Sequence, residues 1–361
     1  MNILKLGGRY LHLDLMRAVA VLLVVIAHAG LGDLVPGGSG VTIFFTISGF
    51  VITLLVLQEK KRSSGFAVGW FYIRRALKIV PPLIAIVIVP TLLTGASHDY
   101  KWDQVYSQIF FYFNWIYMSG DVHVLPGSGV VWSLSIEEQF YIIFAFIWAL
   151  LVKKKNSDLY LGAISILFIL YANFARLVFA GQENPHNRIY YGSDTRIDAI
   201  AIGVLAAIYF LRNKEHFSSK VRNKFSGWDI TAFAALGLFA LSLIIRDEWF
   251  RNTLRYAIQS LSAAVIILYG FTRSENLFAK SVRLISNWSI VKTVGLASYS
   301  IYLVHLTISV SIEPFVSSFP LVAQVVVKAI LGIGVGIICY LVVEVPALRL
   351  KTYLQTKRPK E

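Results

Sequence analysis

The sequence predicts an all-α polytopic membrane protein, and three observations carry that prediction. Hydrophobic residues make up 57% of the 361, and the mean hydropathy is +0.66. Apolar runs of helix-spanning length recur from one end of the chain to the other. Lysine and arginine are concentrated in alternate connections between those runs. Backbone polar groups inside a bilayer must be satisfied within their own segment, so such runs cross as helices.

Ten spans are predicted, near residues 14–30, 40–58, 76–95, 133–152, 159–180, 197–211, 229–246, 254–271, 292–312 and 320–344. The longest polar insert, about 96–131, is interrupted by "IFFYFNWIYM". That short aromatic stretch near 104–118 is read as re-entrant or interfacial. With a cytoplasmic amino terminus, 25 of the 34 Lys and Arg residues fall in cytoplasmic segments. The opposite side holds Lys101, Arg188, Arg196, Arg246, Arg251 and Arg255, and Arg17, Arg176 and Lys328 lie within spans. The asymmetry places both termini, including a tail at about 346–361, in the cytoplasm of a cell with this protein in its plasma (inner) membrane. The formal charge of +14 is therefore mostly topological and does not point to nucleic acid. The single cysteine, Cys339, excludes an intramolecular disulfide. Nothing reads as a separate soluble domain, so residues 1–361 are expected to form one transmembrane domain.

The first span, within "LMRAVAVLLVVIAHAG", carries Arg17 near its start and His28 near its end. Eleven residues at about 100° each return to within about 20° of the same direction, after a rise of about 16 Å. Ionisable groups at membrane depth cost several kcal/mol, so each needs a partner or a task. Asp14 can pair with Arg17. Arg17 can hold an anion at the inner side, and His28 can take and return a proton near neutral pH. Ala27-His28-Ala29 also resembles a signal-peptide cleavage site, but the long lead carrying Asp14 argues against removal.

The second span, "GVTIFFTISGFVITLLVLQ", places Ser48-Gly49 where neighbouring helices can approach closely. The third begins "FYIRRALKIVPPL". Arg74, Arg75 and Lys78 cluster there on the cytoplasmic side, either as headgroup anchors or as a phosphate site. Pro81-Pro82 are expected to bend or interrupt the helix. The fourth span opens with "VVWSLSIEEQFYIIF". Ser133 or Ser135 with an acidic first turn would be ordinary capping, which leaves Trp132, Gln139 and one of Glu137 and Glu138 without a role.

The sixth span is entered through "GSDTRIDAIAIGVLAA", where Asp194, Arg196 and Asp198 form a structural network or a polar acceptor site. In "ASYSIYLVH" of the ninth span, Tyr302 and His305 share a face. The tenth carries the close-packing run "GIGVGI" and ends in "VVEVPALRLK". Glu344 and Pro346 are expected to end that span, with Glu344 paired to Arg349 or to the Arg74/Arg75/Lys78 cluster.

Taken in order, these motifs resemble the integral-membrane acyltransferase family 3, bacterial enzymes that O-acylate sugars and other extracytoplasmic acceptors. The resemblance rests on Arg17 and His28, "FFTISGF", "RRALKIVPP", "WSLSIEEQFY", "TRIDAIAIG", "SYSIYLVH" and "VEVPALR", and covers about residues 10–350. Lys78 stands where many members carry a further arginine. The resemblance implies a ten-helix core moving an acyl group, commonly acetyl, from cytoplasmic acyl-CoA to a hydroxyl of an envelope carbohydrate or glycolipid. Many relatives carry an appended periplasmic hydrolase-like domain; here the membrane core alone is expected to reach the acceptor.

On this reading Arg74, Arg75 and Lys78, with Arg17, bind the acyl-CoA phosphates. His28 is the catalytic base, or the nucleophile of an acyl-histidine intermediate, and Glu137 orients its imidazole. Trp132, Ser133, Glu138, Arg196, Asp198, Tyr302 and His305 bind the acceptor or support the transition state. Asp14, Ser48, Gly49, Glu344 and Pro346 are structural. No metal and no tightly bound cofactor is expected, acyl-CoA being a co-substrate. The competing reading is a proton-coupled transporter or flippase of an envelope precursor, whose buried ionisable groups would relay protons.

Overall fold

The computed structural model describes residues 5–6, 9–62, 65–218 and 226–357. The basic stretch at 219–225 and the last four residues, both counted above as cytoplasmic charge, lie outside them. Apart from an antiparallel pairing of Lys5–Leu6 with Arg9–Tyr10, the described residues are helical or connecting.

Ten helices have sixteen residues or more among the described residues, one for each predicted span. They are α1 (Leu11–Ile26), α2 (Gly37–Arg62), α3 (Val68–Leu83), α4 (Val131–Leu151) and α5 (Ser157–Ala180). The rest are α6 (Ser193–Arg212), α7 (Gly227–Ile244), α8 (Leu254–Tyr269), α9 (Ser289–Ser311) and α10 (Leu321–Cys339). Eight of these, with their continuations, are long and apolar enough to cross a membrane. Of the other two, α8 has only sixteen residues, and α6 carries Asp194, Arg196, Asp198 and Arg212. The aromatic insert forms two short helices, Trp102–Ile109 and Phe113–Tyr117, broken at Phe111, whose φ is 59°.

The chain forms two compact units, each drawn from separated stretches. The first comprises residues 1–20, 38–66 and 136–295. In it α6 packs against α5 and α8, and α7 packs against α8. α2 meets α6 backbone to backbone. A side chain at Gly49 would collide with the Ile200 carbonyl, and one at Gly203 with the Thr46 carbonyl. Asp229, at the start of α7, closes that helix on the end of α8. Its Oδ1 accepts from Tyr269 and Ser274, each at 2.7 Å.

The second unit comprises residues 21–37, 67–135 and 296–361. Three π turns shape it. The first, Ala27–Leu31, continues α1, contains His28 and is packed by α10. It turns sharply at Gly30, whose φ of 129° favours glycine. The second, Ile84–Ile88, follows α3, and the third, Tyr340–Glu344, follows α10.

The last two turns share a sequence cause. The helix is not interrupted at Pro81-Pro82, and helix continues past Pro346. Helix runs from Val68 to Thr94, and from Leu321 to Lys357, into what was read as a tail. Each π turn is followed by Val-Pro, and the N–H groups of Val89 and Val345 reach back five residues, to the carbonyls of Ile84 and Tyr340. Proline has no N–H, and its ring crowds the carbonyl four residues back, so a widened turn lets the helix pass. Pro81 and Pro82 likewise cannot donate to Leu77 and Lys78. Nearby, the Tyr299 hydroxyl donates to the Ile79 carbonyl at 2.9 Å. α3 packs on the third π turn and on the terminal helix Val345–Lys357, which brings the α3 basic cluster beside that turn.

Candidate active site

Within the second unit, α9 presents Tyr302, His305 and Ser309 along one face, at helical spacings of three and four. His305 is buried. Its Nδ1 lies 2.8 Å from the Tyr302 carbonyl and 3.2 Å from the Ile301 carbonyl. Carbonyl oxygens only accept, so Nδ1 carries the proton and a neutral His305 exposes a lone pair at Nε2. That Nε2 lies 2.8 Å from His28 Nδ1. The ring centres are 5.1 Å apart with planes 21° from parallel, so the rings meet edge to edge, nitrogen toward nitrogen. His28 Nδ1 must therefore donate. The proton of a neutral His28 is then on Nδ1, and its Nε2 carries the free lone pair.

The His28 side chain is accessible, and among the described residues its Nε2 takes no hydrogen bond. Ser309 donates to the His28 carbonyl at 3.3 Å, a second tie from α9 to the π turn. The Tyr302 hydroxyl is also engaged, 2.7 Å from Ser133 Oγ and 3.2 Å from the Val130 carbonyl. Trp132 is buried at the same entrance to α4. Gly127, at φ 84°, approaches α9 where a side chain would collide with Thr307. On α10, Gly332 leaves room for the backbone of His305. His28 is thus held by a turn and a helix that are themselves tightly seated.

The basic cluster of α3 lies in the same unit. Arg74 and Arg75 are half-buried, Lys78 is exposed, and the Arg74 guanidinium sits 6.0 Å from the Trp70 ring centre. Glu344, buried in the third π turn, accepts from Ser300 at 2.9 Å.

The first unit holds the other sequence-derived residues. Arg17 bonds the buried Asp14 at 3.1 Å. Glu137 Oε1 accepts from Ser48 at 2.5 Å and from Tyr141 at 2.6 Å, and the Ser48 and Tyr141 hydroxyls also touch. Ser48 therefore serves a carboxylate as well as a helix contact. α4 begins at Val131, so neither glutamate is a first-turn residue. Ser133 and Ser135 bond back to carbonyls of the preceding turn rather than capping. Gln139 accepts from Ser193 at 2.6 Å, and Glu138 is half-buried.

The Asp–Arg cluster divides. Asp194 takes both terminal nitrogens of Arg188, at 2.8 and 2.5 Å. Asp198 is claimed by Arg176 of α5 at 2.7 Å, both side chains being fully buried. Arg196 is paired instead with Thr42, at 2.9 Å, and with aromatic faces. Sequence reasoning passed over Arg176 as one more charge within a span and over Arg255 as loop charge. The signal available was their cost: a buried guanidinium demands a partner wherever it lies.

The acyltransferase family 3 model, described as an acyltransferase domain, matches residues 10–343. The O-acetyltransferase OatA of Staphylococcus aureus strain NCTC 8325 is 29% identical over 358 residues, 94% of this chain and 57% of that protein. A protein of strain COL, provisionally named an O-acetyltransferase, is 29% identical over 314 residues, 82% of this chain and 50% of its own length. The chain thus spans about half the length of the curated relatives it matches. No solved structure matches it significantly.

Proposed function

Since the chain belongs to acyltransferase family 3, we propose that it moves an acyl group, in the first instance acetyl, from acyl-CoA to a hydroxyl of a carbohydrate or glycolipid acceptor. The observation that carries this reading is the fixed orientation of His28. Its Nδ1 is committed to His305, which leaves Nε2 with a lone pair that no described residue claims. That is the form a general base needs at neutral pH.

In the proposed step His28 Nε2 takes the proton of the acceptor hydroxyl as its oxygen attacks the thioester carbonyl. The carbon–sulfur bond then breaks, the acyl group stays on the acceptor oxygen, and the imidazolium returns its proton to the departing CoA sulfur. His305 has both ring nitrogens engaged, so its role here is positioning: it accepts from His28 Nδ1 and spreads the imidazolium charge toward two backbone carbonyls. The thioester carbonyl needs a donor from elsewhere. Arg74, Arg75 and Lys78 bind the acyl-CoA phosphates, with guanidinium suited to bidentate contact and ammonium to a point contact.

The test is release of free CoA thiol, with acyl transfer to acceptor, in membranes containing the native chain or His28→Ala. The substitution should lower turnover by about 10²–10⁴-fold, the contribution of a positioned base, with unchanged membrane insertion. Turnover at the native rate by the inserted variant would remove the proposal.

A further inference from the structure

The first unit contains buried positive charge that its own carboxylates do not neutralise. Arg196, on α6, is fully buried. One of its nitrogens donates to Thr42 Oγ1, while Nε and Nη1 meet no acceptor. Its guanidinium carbon lies 4.1 Å from the ring centre of Tyr256, 5.3 Å from Tyr190 and 5.8 Å from Phe45. Arg255, which precedes Tyr256 on α8, is 7% exposed and buries Nε and Nη2 with no acceptor. Those two nitrogens form the side edge of the guanidinium, the edge that grips two oxygens at once. Arg255 is joined to Arg196 through Tyr256, its neighbour on α8 and the ring that Arg196 covers.

The neighbouring acids are committed elsewhere. Asp194 is held by Arg188, and Asp198 by Arg176. Asp198 keeps one buried oxygen, Oδ1, without a donor. A ring face attracts a desolvated cation but offers it no hydrogen-bond acceptor. Removing an ion from water costs several kcal/mol even after relaxation. Aromatic contact alone therefore leaves Arg196 short, and Arg255 is not in such contact among the described residues.

We propose that Arg196 and Arg255, around Tyr190 and Tyr256, bind an oxyanion of the acceptor, a carboxylate or phosphate. This rests on the acyl-transfer reading and narrows its acceptor to an acidic one. Two sources share that chemistry: an acidic sugar, and the phosphate of a polyprenyl carrier. The planar, edge-presenting guanidinium of Arg255 suits either. The unbonded Asp198 oxygen suits an adjacent ligand hydroxyl and disfavours a second anionic group.

The test uses the full chain purified in detergent, with binding followed by titration calorimetry. The probes are a hexuronic acid against its neutral hexose, and a polyprenyl phosphate against its polyprenol. The acidic member of one pair should bind at least tenfold more tightly than its neutral partner, and that pair identifies the source. Arg255→Gln should abolish the preference. Added inorganic phosphate should erode it in the native chain, a measurement that needs no variant to fold. Equal binding of acid and neutral forms in both pairs would overturn the inference, as would a preference that survives Arg255→Gln or is indifferent to phosphate. If acyl transfer persists alongside such an outcome, only this inference falls. Acid-selective binding with no CoA-dependent transfer would instead remove the acylation reading.

Discussion

At the scale of single residues, the informative fact is which nitrogen of His28 holds the proton. Two carbonyl acceptors at His305 Nδ1 propagate through one ring and one hydrogen bond to set the tautomer of the next ring. Removing His305 leaves His28 free to place its proton on either nitrogen and to rotate. His305→Ala should lower kcat by about 10–100-fold, the usual cost of losing a group that orients a functional imidazole, with little change in KM for acyl-CoA. His305→Asn, which can still offer an amide oxygen to His28 Nδ1, should recover part of the loss. A KM effect alone, or no difference between the two variants, would mean that His305 acts in substrate binding or merely in packing.

Secondary-structure elements carry two further expectations. In α3, Arg74 and Arg75 precede Pro81-Pro82 on a helix that those prolines do not break, so the basic cluster stays on a continuous helix. Charge reversal at both arginines should raise KM for acyl-CoA at least tenfold while leaving acceptor affinity unchanged. A shift in acceptor affinity instead would place the donor phosphates elsewhere. The α2–α6 crossing depends on Gly49 and Gly203, each facing a main-chain carbonyl of the other helix. A main chain cannot rotate aside as a side chain can. Gly49→Val or Gly203→Val should therefore cost about 1–3 kcal/mol, the range typical of overpacking, and should lower the unfolding midpoint in detergent. Midpoints within about a degree of the native value would show that the helices separate there without penalty.

For the molecule as a whole, the distribution of Lys and Arg makes a topological prediction. In a Cys339→Ser background, Gln355→Cys should react with a membrane-impermeant maleimide only after the inner membrane is breached. Glu248→Cys should react from outside. Both positions are exposed, so protection reports the bilayer rather than burial in the protein. The reverse pattern would invert every side assigned to the basic cluster and to the acceptor.

Much of the architecture was legible because hydropathy is a local sum. Each of the ten predicted spans is a helix, and the aromatic insert stood apart as short and interrupted. Prolines were legible as disturbances, but their outcome was not. Pro90 and Pro346 sit in continuous helix because the turn before each widened, a choice made by backbone geometry that composition does not encode. Candidate residues could be recognised by their cost, since an ionisable side chain in an apolar run needs a partner. The partner's identity could not.

The sequence by itself determined which segments form the long apolar helices, which connections carry positive charge, and that His28, Glu137, Arg196 and His305 are too polar for their surroundings to be incidental. Only the tertiary structure decided their company: His305 for His28 across 277 positions, Ser48 for Glu137 across 89, and Thr42 for Arg196 across 154. Crossing a bilayer is a property of one segment, summed over its own side chains. A hydrogen bond belongs to two segments, and its geometry exists only once packing has brought them within three ångströms or so.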